Sequence, residues 1–183
     1  MTERSGPDPI ENPNPAPGSS NRSPAPVGVK VKTTIERGDA YMAPKLYNVE
    51  ITLEEIVRGD EAREHIKAQG VSDKPPKAGF EYILTRIQFG YFRKARGLAD
   101  ETYRLTEGQF AAVSTDGRTE YEIPSVSQQP QPKLIDWLFH PGESREGWIL
   151  FQVPKDNMKP LLVFKREHVE GVYGIWRYVW FQL

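Results

Sequence analysis

The chain has 183 residues, with 24 basic and 25 acidic side chains, a net charge of −1 and a mean hydropathy of −0.60. That length allows one domain of ordinary size plus an appendage, and so even a charge balance argues against a cationic surface for nucleic acid. The absence of cysteine excludes a disulfide scaffold, a thiolate zinc site and a cysteine nucleophile together.

Residues 1–26 contain Pro7, Pro9, Pro13, Pro15, Pro17, Pro24 and Pro26 among few apolar groups. Fixed φ angles and missing amide donors disfavour both helix and sheet there. The scarce apolar surface cannot offset the ordering entropy, so the expectation is a disordered spacer over 1–26 and a folded domain over 27–183. The start lacks the cationic and apolar stretches of a secretory leader. No apolar run approaches the ~18–20 residues that span a bilayer.

Val27, Val29, Val31 and Ile35 alternate with polar residues, which predicts a first strand at a sheet edge over 27–35. Tyr47, Val49, Ile51 and Leu53 repeat the pattern. The phase then shifts at Glu54-Glu55-Ile56-Val57, the mark of a bulge or a strand end. Residues 60–69 predict the one helix: Asp60 opens it, Ala62 and Ile66 share a face that docks on the sheet, and Gly70 stops it.

Residues 81–92 predict a central strand, because Ile83, Ile87, Phe89 and Tyr91 occupy one face while Tyr82 and Leu84 cover part of the other. Asp116-Gly117 predicts a hairpin between 110–114 and the Tyr121/Ile123 pair, and Pro141-Gly142 marks another turn. Strands over 148–153, 161–164 and 175–183 complete an antiparallel β-sandwich.

Three stretches together carry a resemblance: residues 49–62, the Pro75-Pro76 loop running into Gly79-Phe80-Glu81-Tyr82-Ile83-Leu84, and Phe139-His140-Pro141-Gly142-Glu143 followed by residues 146–154. Over residues 35–183 the chain resembles a family of uncharacterised, exported Gram-positive bacterial lipoproteins with an immunoglobulin-like domain, similar in fold to the immunoprotective extracellular protein of mycobacteria. The resemblance implies an immunoglobulin-like sandwich, an extracellular or cell-envelope location and no transferable catalytic residues. Members of that family begin with a signal segment and a lipid-attachment cysteine, neither of which stands here. A trimmed mature chain, lipid-anchored in its native precursor, is the expectation that follows.

In the last strand Trp176, Tyr178 and Trp180 share one face, while Ile175, Val179, Phe181 and Leu183 share the other. The second set is the more natural core lining. The aromatic set is then covered by the helix or by residues 27–35, or forms the core itself, or lies bare as a platform for sugar rings or a partner. With Trp137 these are the candidate contact residues. His65, His140 and His168 share no ligand spacing, and His65 is expected to face solvent. Glu54 and Glu55 point to opposite faces of a strand, and Glu61 and Glu64 suit the first turn of a helix better than a cleft.

These observations lead to a non-enzymatic, cofactor-free binding module with an unknown protein or a cell-wall glycan as partner. Contacts are expected from an edge strand or from loops over 58–79 and 91–103. A carbohydrate-binding module using exposed Trp and Tyr is the alternative. A small secreted hydrolase, with two carboxylates or His140 and a carboxylate in one cleft, is the second alternative.

Overall fold

The computed structural model describes residues 15–37, 45–72, 74–95, 101–166 and 178–183. The strands form antiparallel sheets, as the two-residue apolar period requires. The first sheet contains β1 (Lys30–Arg37), β2 (Lys45–Arg58), β3 (Phe80–Arg93) and β7 (Glu143–Pro154), in that spatial order. The second contains β5 (Phe110–Val113), β8 (Leu161–Lys165) and β9 (Tyr178–Gln182). Two-residue strands β4 (Tyr103–Arg104) and β6 (Leu138–Phe139) pair with each other.

One apolar core lies between the sheets. Tyr47, Val49, Ile51, Leu53, Ile83, Ile87 and Phe89 line it from the first sheet, and Phe110, Leu162, Phe164, Val179 and Phe181 from the second. β3 is central as expected, paired along its length with β2 and β7. The register of β2 against β3 slips between Leu53 and Glu55. The extra residue reverses the face pattern: Leu53 points into the core, whereas Val57 points outward.

That outward face is where α1 (Gly59–Ala68) docks. Ala62 and Ile66, one turn apart, bury themselves against Val57, Tyr82, Leu84, Trp148 and Leu150. The Arg58–Glu81 ion pair joins the residue preceding the helix to β3. Asp60 lies in the first turn and makes no side-chain cap, while Gly70 takes the left-handed φ of +68° that ends the helix. Among the described residues, no helix is long and apolar enough to cross a membrane.

Two expectations change. The first strand begins at Lys30, and Val27 is exposed, because the chain turns at Gly28 (φ +81°) before joining β2. The expected spacer also packs in part. Ala25 is fully buried and bridges Phe181 in parallel, and the Gly18 carbonyl accepts from the Trp180 N–H at 3.0 Å. Prolines at 15, 17, 24 and 26 leave the amides of Gly18 and Ala25 free to bond, so the segment serves as an edge strap without being a regular strand. Residues 1–14 of the expected spacer lie outside the described residues.

Candidate functional site

Alternation divides β9 as its sequence predicts. Val179, Phe181 and Leu183 join the core, while Tyr178 and Trp180 stand on the outer face of the second sheet, half-buried against Ala111, Val113, Leu161 and Val163. The Tyr178 and Trp180 rings meet edge-on, with centroids 5.8 Å apart and planes at 83°. Trp180 also lies over the Asp116-Gly117 turn: a Cβ on Gly117 would fall 2.7 Å from its ring. The Asp116-Gly117 turn therefore covers part of the aromatic face. Trp176, the third member of the predicted row, lies outside the described residues.

A groove of about 530 Å³ opens along this flank of the sandwich. Its sides are residues 16–21 of the strap, residues 31–33 of β1, Arg166 and residues 178–180 of β9. The strap lies close on β1, since a Cβ on Gly18 would come within 3.0 Å of the Val31 side chain. Arg166 links the two sheets across the opening. Its Nη1 donates to the Thr33 hydroxyl at 3.1 Å and to the Thr34 carbonyl at 2.8 Å. Among the described residues, Lys32 and Arg166 are the charged members of the lining.

At the groove's edge, Lys32 of the lining and its neighbour Lys30 share one carboxylate, that of Glu50, at 2.9 and 3.0 Å. The hydrogen bond from Lys32, then that from Lys30, holds the Glu50 carboxyl below its ordinary range. Two cations against one anion leave this margin of the first sheet with positive charge in excess.

Trp137 is 37% exposed, but one face of its ring is occupied. The Arg145 guanidinium carbon lies 3.3 Å from the ring centroid, and the buried Arg145 Nε has no hydrogen-bond partner. The stack pairs one face of Trp137 with a cation instead of a second ring.

The 58–79 insertion contributes a second, polar cleft of about 480 Å³ between the start of α1 and residues 75–82, where Asp60 and Glu81 mix with Arg63, Lys77 and Lys155. Of the 91–103 segment, residues 96–100 lie outside the described residues. His65 does not face solvent freely, because its ring packs edge-on to Trp148 at 5.1 Å. His140 is exposed at its turn and donates its backbone N–H to Glu143 at 2.9 Å. His168 lies outside the described residues.

Glu54 and Glu55 sit at the bulge, and Glu55 shares Arg86 with Glu146 at 3.0 and 3.1 Å. Among the described residues, no group of three His, Asp or Glu side chains converges as a metal would require. Comparison of the chain with family models, curated proteins and solved structures found no match.

Proposed function

We propose that this chain is a non-enzymatic binding module of a bacterial cell surface, engaging a partner protein through the groove between the strap, β1 and β9. The immunoglobulin-like kinship, the extracytoplasmic location and the lipid anchor of the precursor belong to the same reading and rest on the resemblance. The observation that carries it is the groove itself, a cleft bordered by Tyr178 and Trp180 at the open flank of a sandwich. Half-buried aromatics of this kind supply large contact area at low conformational cost.

The rings at 83° form no flat platform, and Trp137 offers one open face, so a protein partner suits the geometry better than a glycan. The test is photo-crosslinking with benzoylphenylalanine in place of Tyr178, in the full chain displayed on an intact envelope. A discrete protein adduct that disappears on adding Trp180→Ala supports the reading. Retention on purified cell-wall glycan with no protein adduct moves it to the carbohydrate alternative, and turnover of an envelope substrate moves it to the hydrolase.

A further inference from the structure

The backbone holds Trp137 out of the core. Ile135 before it and Phe139 after it are buried, whereas Trp137 is 37% exposed. The Leu105 carbonyl accepts from the Asp136 N–H at 2.7 Å, and the Leu105 N–H donates to the Trp137 carbonyl at 3.1 Å. One residue thus faces two, which makes a bulge, and Asp136 takes the left-handed φ of +60° that such bulges assign to glycine. Bulges re-aim side chains, and a left-handed residue other than glycine stores strain. The Arg145 guanidinium carbon rests 3.3 Å from the centre of the ring so presented, while its Nε is buried without a hydrogen-bond partner. An unpaired buried donor is a further cost to stability. Among the described residues no carboxylate pairs with Arg145: Asp136 lies with Lys133 at 3.7 Å, and Glu143 accepts the His140 N–H at 2.9 Å.

A bulge, a strained residue and an unpaired buried donor thus converge on one exposed pair of side chains. We propose that Trp137 and Arg145 are an anchor for an acidic segment of a partner protein. The Arg145 fork takes a glutamate or aspartate carboxylate in two parallel hydrogen bonds, and an apolar neighbour of that residue packs on the ring surface that Arg145 leaves open. This goes beyond the groove reading and stands on residues of its own. Stacking fixes the plane of the fork before the partner arrives, so little side-chain freedom is lost on binding. Burial of Nε leaves the two terminal nitrogens as the accessible edge, and their geometry matches a carboxylate. Arg104 and Lys133 hold Asp136 from either side, through its carbonyl at 3.4 Å and its carboxylate at 3.7 Å, and they add to the attraction for acid. Trp and Arg are also the residue types that most often dominate a protein interface.

The probes are two blocked peptides, leucine–glutamate–leucine and leucine–glutamine–leucine, and inorganic phosphate, each titrated into the full isotope-labelled chain. Proton–nitrogen NMR follows the Trp137 indole N–H and the Arg145 Nε–H. The glutamate peptide is expected to shift both signals and to bind about tenfold more tightly than the glutamine peptide or phosphate. Arg145→Lys keeps the charge and gives up the planar fork, so it is expected to lose about that factor. Trp180→Ala, in the groove, is expected to leave binding unchanged. Equal binding of the two peptides, preference for phosphate, or shifts that leave Trp137 and Arg145 unmoved overturn the proposal. So does binding that survives Arg145→Lys and is lost with Trp180→Ala. The comparison of peptides on the parent chain needs no variant, so it decides even where Arg145→Lys fails to fold. Failure here leaves the Tyr178 crosslink, and with it the groove reading, untouched.

Discussion

Ala25 lies in parallel register beside Phe181, with backbone hydrogen bonds on both sides of the pairing and no exposed surface of its own. A small side chain is what this position admits, since the strap runs directly along β9. The stability of the second sheet therefore depends on residues outside the apolar pattern. Deleting residues 1–26 removes three backbone hydrogen bonds to β9 and uncovers Phe181. At roughly 0.5–1.5 kcal/mol for each bond, the loss is about 2–4 kcal/mol. Urea unfolding measures it as a lower midpoint, and Ala25→Asp in the longer chain is expected to reproduce most of it. An unchanged midpoint means that the strap contributes nothing to the fold.

Ile66 is fully buried on a helix of ten residues, a length marginal in isolation. Ile66→Ala removes most of the side chain that joins α1 to Tyr82, Leu84 and Leu150, at about 2–4 kcal/mol. Because the helix lies on the outer face of the first sheet, the core between the sheets is expected to survive. Near-ultraviolet circular dichroism of the variant should keep the signature of the Tyr47, Tyr91 and Phe89 packing while the unfolding midpoint falls.

What could be read in advance follows a physical division. Period-2 alternation reports burial of side chains, so β2, β3, β8 and the two faces of β9 were legible, as were the bulge after Leu53 and the docking of Ile66. Interactions that use only the backbone leave no such pattern. The pairing of Ala25 with Phe181 and the closure of β7 by Pro132 were invisible for that reason, and β4 and β6 are too short to show a period. The candidate site divides in the same way. The parity of Tyr178 and Trp180 was readable, whereas the groove beside them depends on Arg166 and the strap arriving from distant parts of the chain. Nothing in sequence placed Arg145 on Trp137, eight residues before it and across a turn.

Gly147 sits where the chain crosses β7. A Cβ there would lie 2.6 Å from the Pro132 carbonyl oxygen and 2.8 Å from both the Leu134 backbone nitrogen and its Cβ. Two of these neighbours are backbone atoms that cannot rotate aside. Gly147→Ala is therefore expected to force residues 132–134 off the margin of β7, at about 1–3 kcal/mol. The outcome to look for is a lower melting temperature together with faster hydrogen exchange at Trp148, whose amide bonds to Pro132. Gly142→Ala serves as the control for a glycine with open space around it and backbone strain alone, its φ being +106°. A Gly147→Ala variant as stable as the parent would mean that the crossing is looser than drawn.

Tyr47, Tyr91 and Tyr103 stack in sequence at the end of the core, with centroids 5.0 and 5.4 Å apart. The Tyr91 hydroxyl donates to the Glu101 carbonyl at 3.0 Å. Burial, followed by the neighbouring Tyr47, pushes the Tyr91 phenol above its ordinary value of 10.0. The sign is fixed by which state ionises more easily. The unfolded chain releases this proton near pH 10, whereas the folded chain retains it. Stability from this group is thus complete below pH ~10 and declines as pH rises through the interval up to the folded value. Tyrosinate absorbance should show a class of tyrosine that titrates together with alkaline unfolding instead of before it. Tyr91→Phe keeps the ring stack and gives up the hydrogen bond, at about 1 kcal/mol near neutrality. It should also flatten the alkaline decline, so the variant and parent curves converge as pH rises above 10. Parallel curves through that range would assign the late-titrating phenol to another tyrosine of the stack.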